Sequence, residues 1–234
     1  MLPMYGSWVL LILILISSIP VIAVYVWFRA AKYQFSLARF LFALLAGATA
    51  FIPALFLQEY LALLQPTGRM ALFYHFFVRI ALTEELSRLL MLFIFFWISG
   101  LVRPDQDSGS PLSYNTVKKG TATGLVAGLG FAILESVVYA ASNSGVLFLR
   151  IFTAALHGAC GSRIGAAAVM FRTNPVQAIF RVFTAIAIHG VYNFMVSMSG
   201  LPSIAAILVA ISALITSILA IRGGWEPEGN YLEK

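Results

Sequence analysis

The apolar residues of this chain gather into seven long runs, near 8–28, 37–57, 76–101, 120–141, 147–170, 176–198 and 203–221. An α-helix needs roughly 20 apolar residues to cross a bilayer, and each run is close to that length. The pattern predicts an all-α fold, a polytopic membrane helical bundle of about seven transmembrane helices. So little sequence lies outside the runs that residues 1–234 read as a single domain, with the polar positions of interest between about 76 and 198. The breaks differ in kind. Gln58 to Leu72 holds Glu59, Gln65, Pro66, Gly68 and Arg69 and reads as a partly interfacial turn, with Pro53 placed to kink the end of the second span. Val102 to Lys119 is the long polar loop, and Gly223 to Lys234 forms a short polar tail.

Composition sharpens this picture. The chain is 61% hydrophobic and 10% charged, where soluble domains carry about 25% charged residues. The net charge of +6 does not indicate nucleic acid, because the basic residues collect at span ends. Arg29, Lys32 and Arg39 follow the first span, Arg103, Lys118 and Lys119 the third, Arg172 the fifth and Arg222 the seventh. The positive-inside rule then puts the N-terminus outside and the C-terminus in the cytoplasm. The first run lacks a small-residue cleavage site and reads as a retained helix rather than a signal peptide. A single cysteine, Cys160, excludes an internal disulfide.

Against this apolar background the ionisable residues inside the spans stand out, since a charge in hydrocarbon is kept mainly where it faces the bundle interior. At ~1.5 Å of rise per residue, Glu85 lies about 24 Å above Leu101 and Glu135 about 22 Å above Gly120. His157 and His189 each lie about 20 Å above the cytoplasmic end of their spans. Four separate helices therefore carry polar groups at one depth, in the outer half of the bilayer. Helical spacing adds neighbours: Glu84 and Glu85 share a face with Arg88, His189 shares one with Asn193, and Arg150 shares one with His157. Gly120, Gly124 and Gly128, with Gly158, Gly161 and Gly165 on the next span, let those two helices approach closely. Arg163 is expected to reach toward the cytoplasmic interface, and His75 to sit near the outer boundary.

Adjacent carboxylates beside an arginine suit the handling of a proton from water, and His189 with Asn193 suits hydrogen bonding to an oxyanion. Each group also has a plain structural reading, as a buried pair that ties helices together. No HExxH, phosphate-loop or nucleotide motif is present.

Taken together, Glu84-Glu85-Leu-Ser-Arg88, Phe131-Ala-Ile-Leu-Glu135, His157 and His189-Gly-Val-Tyr-Asn193 resemble the PrsW family of intramembrane proteases, related to the CAAX protease and bacteriocin-processing group. The likeness runs from Glu84 to about Asn193. It implies a membrane protease, in some members acting on the outer side of an anti-sigma factor. By position, Glu84 and Glu85 would activate water, and Glu135 and His157 would orient water or substrate. His189 and Asn193 would stabilise the oxyanion, and Arg88 would support the carboxylate pair. The family usually has lysine at Arg88, which changes the hydrogen-bond geometry.

The reading is therefore an integral membrane endopeptidase of a bacterial or archaeal cell membrane. Its partners are the lipid bilayer and a membrane-tethered protein substrate. With three acids gathered and no standard zinc spacing, a metal-free glutamate mechanism without cofactor is favoured, although two histidines and a glutamate could also hold zinc. The rival is a proton- or cation-coupled transporter, which uses the same residue types.

Overall fold

A computed structural model describes residues 7–33, 35–68, 70–100, 114–140, 149–198 and 200–223. The chain forms α1 (Ser7–Ala30), α2 (Leu37–Ala62), a single turn α3 (Met70–Phe73), a π-helical stretch (Tyr74–Leu82) and α4 (Thr83–Ile98). It continues through α5 (Tyr114–Ala140), α6 (Leu149–Met170), α7 (Pro175–Val196) and α8 (Leu201–Arg222). With α3, the π stretch and α4 running on as one rod, the seven apolar runs each become a helical pass. Among the described residues α2, α5, α7 and α8 are long and apolar enough to cross a membrane.

Local chemistry sets several boundaries. Ser36 caps α2 by accepting from the Arg39 amide at 3.2 Å, and Asn174 caps α7 by accepting from the Gln177 amide at 3.1 Å. Pro175 opens α7, where its missing N–H costs nothing. The expected turn beginning at Gln58 starts later. Helix α2 continues to Ala62, with Pro53 inside it, because Tyr74 donates to the Leu61 carbonyl and Arg79 to the Gln58 carbonyl, both at 3.0 Å. The expected boundary at Lys119 also moves. Helix α5 begins at Tyr114, and Lys118 lies buried within it. The remainder of the expected loop, 102–113, and the tail 224–234 fall outside the described residues.

Helix α5 is the centre of the bundle. Over its most apolar stretch it is 78% buried, against 33% for α2 and 28% for α7 and α8. Those three helices turn Phe42, Phe56, Phe180, Phe183 and Leu208 outward, a surface suited to lipid and not to water. Small residues let the central helices touch through their backbones. A methyl added at Gly124 would collide with the Gly161 carbonyl, and one at Gly128 with the His157 carbonyl. On the other side of α5, Gly47 of α2 meets the Ala127 backbone. This contact between backbones, driven by shape more than by solvent exclusion, is how membrane helices pack tightly.

Arg163 departs from expectation. It does not extend toward the end of α6. Its guanidinium folds back onto the Ala159 carbonyl at 2.8 Å and reaches Ser217 at 3.1 Å and Thr216 at 2.8 Å, both on α8. Hydroxyls on the neighbouring helix satisfy the donors better than an uncompensated extension through hydrocarbon would.

Candidate active site

Burial in hydrocarbon demands partners for every polar group, and the α4–α7 region supplies them. Glu84 and Glu85 open α4, and neither is more than 1% exposed. One helical turn on, Arg88 is fully buried. Its Nη1 donates to Glu85 Oε2 at 2.9 Å, and its Nη2 stands 3.6 Å from Glu84 Oε2. The face of that guanidinium lies over the Phe131 ring of α5, 4.5 Å from the centroid. Two further contacts carry the network to α6 and α7. Arg88 Nη2 meets His157 Nδ1 at 3.1 Å, and His189 Nδ1 meets Glu85 Oε1 at 2.8 Å. His157 Nε2 closes the chain on Glu135 Oε2 at 2.9 Å, and Arg150 approaches the same oxygen at 3.6 Å. The two imidazole rings meet edge-to-face, 4.9 Å between centroids.

These partners dictate where protons sit. A guanidinium can only donate, so His157 Nδ1 accepts and its Nε2 proton goes to Glu135. Glu85, paired with Arg88, accepts from His189 Nδ1. A neutral His189 then leaves Nε2 as an acceptor, 3.7 Å from Glu84 Oε2. Glu84 is the odd member. Its Oε1 accepts from Gln58 of α2 at 3.0 Å, but its Oε2 is buried and makes no hydrogen bond among the described residues. An ionised carboxylate oxygen without a donor is costly. It is also the oxygen best placed to take a proton.

Glu84, His157 and His189 each offer a ligand atom, all within 4.8 Å of one another. Two imidazoles and a carboxylate form a donor set that zinc takes when it keeps an open position. Each histidine also gives its other nitrogen's proton to a glutamate, the arrangement that orients metal-binding histidines. With Glu84 Oε2 making no hydrogen bond among the described residues, these side chains fit a divalent ion. Arg88 competes for that point, because its Nη2 already lies between His157 Nδ1 and Glu84 Oε2, so an ion seated there displaces it.

The structure therefore brings Glu84, Glu85, Arg88, Glu135, His157 and His189 into one connected cluster. Asn193 takes no part in these hydrogen bonds and ion pairs but lines an adjoining cavity of about 450 Å³ together with Glu135, Gln58, Arg79 and Arg150. His75, expected at the outer boundary, lines this cavity too. Gln58 and Arg79 had no signal in the sequence, Gln58 because it stood at an assumed turn. The π stretch had none either. Its widened turns are held in part by Thr83, whose hydroxyl donates to the Arg79 carbonyl at 2.7 Å and lies 2.9 Å from that of Ile80.

A family model described as "PrsW family intramembrane metalloprotease" matches residues 36–220. No curated protein and no solved structure matches the chain.

Proposed function

Because the chain belongs to the PrsW family of intramembrane metalloproteases, we propose that it cleaves peptide bonds of membrane-tethered proteins with a water molecule activated at Glu84. Membership makes the molecule an integral membrane protease and sets the coupled-transporter reading aside. The finer reading rests chiefly on Glu84 Oε2, a buried carboxylate oxygen that makes no hydrogen bond among the described residues and lies 3.7 Å from the acceptor nitrogen of His189. Water held between them loses a proton to Glu84 as its oxygen attacks the scissile carbonyl. Glu84 then returns that proton to the departing amine. Glu85 fixes the His189 ring, Glu135 fixes His157, and Arg88 offsets the charge of the glutamate pair. Asn193, on the cavity wall, supplies an amide to the developing oxyanion.

The two carboxylate-backed histidines favour a second reading, in which Glu84, His157 and His189 hold a divalent ion. Such an ion, when bound, supplies Lewis acidity and a more acidic water. In either case the N-terminus lies outside and the site sits in the outer half of the bilayer of a bacterial or archaeal cell. The substrate is a membrane-tethered protein.

The test is cleavage of single-span substrates by the purified chain, with and without a chelator, beside Glu84→Gln. Loss of at least about a hundredfold in Glu84→Gln with chelator-resistant wild-type cleavage supports the glutamate route. Loss on chelation that returns with zinc supports the metal. Full activity in Glu84→Gln overturns the role given to Glu84.

A further inference from the structure

The cavity beside the catalytic cluster carries a charge that catalysis does not use. Arg79 lies on the π stretch, whose wider turns put His75, Phe76, Arg79 and Ile80 together on the cavity wall. Its Nε donates to the Gln58 carbonyl at 3.0 Å, which fixes the guanidinium plane. The two terminal nitrogens make no ion pair or hydrogen bond among the described residues. Arg150, the other guanidinium on that wall, already faces Glu135. Glu135, the acid on the wall, is engaged by both His157 and Arg150, and Glu59 is turned to the exposed side of α2. Arg79 is thus a positioned cation with an open donor fork in a cavity that borders the catalytic cluster at Glu135, and such a fork matches a carboxylate.

We propose that Arg79 determines specificity by binding a carboxylate of the substrate, either an Asp or Glu side chain or a free chain end, close to the scissile bond. This rests on the protease reading above. Gln58 sets the distance, because its carbonyl takes Arg79 Nε and its amide donates to Glu84. Two hydrogen bonds of 3.0 Å and one glutamine side chain make up that path, a span of a few residues of extended peptide. The carboxylate therefore lies within a few residues of the cut. Without it, Arg79 is a cation facing a partly apolar cavity, so acidic substrates gain where neutral ones do not.

The experiment uses the full chain in lipid vesicles with Lys-flanked single-span peptides. One carries an Asp near the outer membrane boundary, a second carries Asn there, and a third places its carboxylate at a free C-terminus, compared with its amidated form. Cleavage is read as kcat and KM, and binding of the same peptides to Glu84→Gln is read separately. Expected is a roughly tenfold or larger rise in KM on removing the carboxylate, a rise absent in Arg79→Gln. Arg79→Glu should reverse the preference, favouring Lys at that position over Asp. The Asp and C-terminal arms show which source of carboxylate is read. Equal loss on acidic and neutral peptides in Arg79→Gln, or no preference in the wild type, overturns the proposal. Carboxylate-dependent binding that Arg79→Gln removes, in the absence of any cleavage by the wild type, would leave Arg79's role standing and defeat the protease reading instead.

Discussion

Gly128 and Gly158 face each other across the α5–α6 seam, and alanine at the two positions should have opposite consequences. At Gly128 a Cβ would lie 2.6 Å from the His157 carbonyl carbon and 2.9 Å from Gly158 Cα, with the His157 carbonyl oxygen nearer still. These are backbone atoms, and no side chain can swing away. To restore ordinary contact the helices must part by about 1.5 Å. The Glu135–His157 bond spans the same seam at 2.9 Å, so that parting carries it beyond hydrogen-bonding range. Overpacking of this kind costs about 1–3 kcal/mol, and the lost charge-assisted bond adds roughly 1.5–3 kcal/mol. At Gly158 a Cβ would meet Leu129 Cδ2 at 3.3 Å and Cγ at 3.5 Å, atoms of a flexible side chain, and the Leu125 carbonyl oxygen at 3.7 Å, an ordinary contact. Alanine there should be neutral within about 1 kcal/mol, helped by its better helix propensity. Thermal unfolding in detergent, run beside peptide cleavage, separates the two. Gly128→Ala should melt lower and lose most activity, and Gly158→Ala should match the wild type. Equal behaviour of the two variants, in either direction, would refute the reasoning from backbone contact.

Other outcomes follow from the same contacts. Arg88→Lys keeps the charge but cannot reach Glu85 and His157 together, so cleavage should fall at least about tenfold with the melting temperature lowered. Arg88→Leu leaves a buried carboxylate pair unbalanced and should cost about 3–5 kcal/mol, read as a loss of folded protein. Ser217→Ala removes a partner of Ser162 at 2.7 Å and of Arg163 at 3.1 Å, and among the described residues Ser217 makes no hydrogen bond to a side chain of the catalytic cluster. It should lower stability by about 1 kcal/mol and leave the kinetics of cleavage unchanged.

The helical passes were legible because hydropathy is written along the chain and hydrocarbon imposes it locally. The gathering of Glu85, Glu135, His157 and His189 was legible for a related reason: groups that are costly in lipid share a depth when they share a pocket. What lay between helices was not legible. Gln58 sits three residues before Leu61, where composition changes toward a turn, and only the donors Tyr74 and Arg79 from a later segment show that the helix continues. Arg150 was assigned to the stripe of His157, yet its acidic neighbour is Glu135 on another helix. Arg163 was assigned to the interface because the hydroxyls that hold it belong to α8. In each case the deciding partner is distant in sequence, and periodicity within one helix carries no trace of it.

The π-helical stretch from Tyr74 to Leu82 sets the phase between two parts of one rod. An α-helix advances about 100° per residue, and the wider turn advances less. Over eight residues the lag approaches half a revolution, so His75 lines the cavity and Glu84 joins the buried cluster beside it only because the winding is loose between them. A one-residue deletion there, nearly invisible in hydropathy, would rewind the rod and turn the recognition wall away from the carboxylates it serves. Length, more than composition, is what natural variation must preserve in that segment.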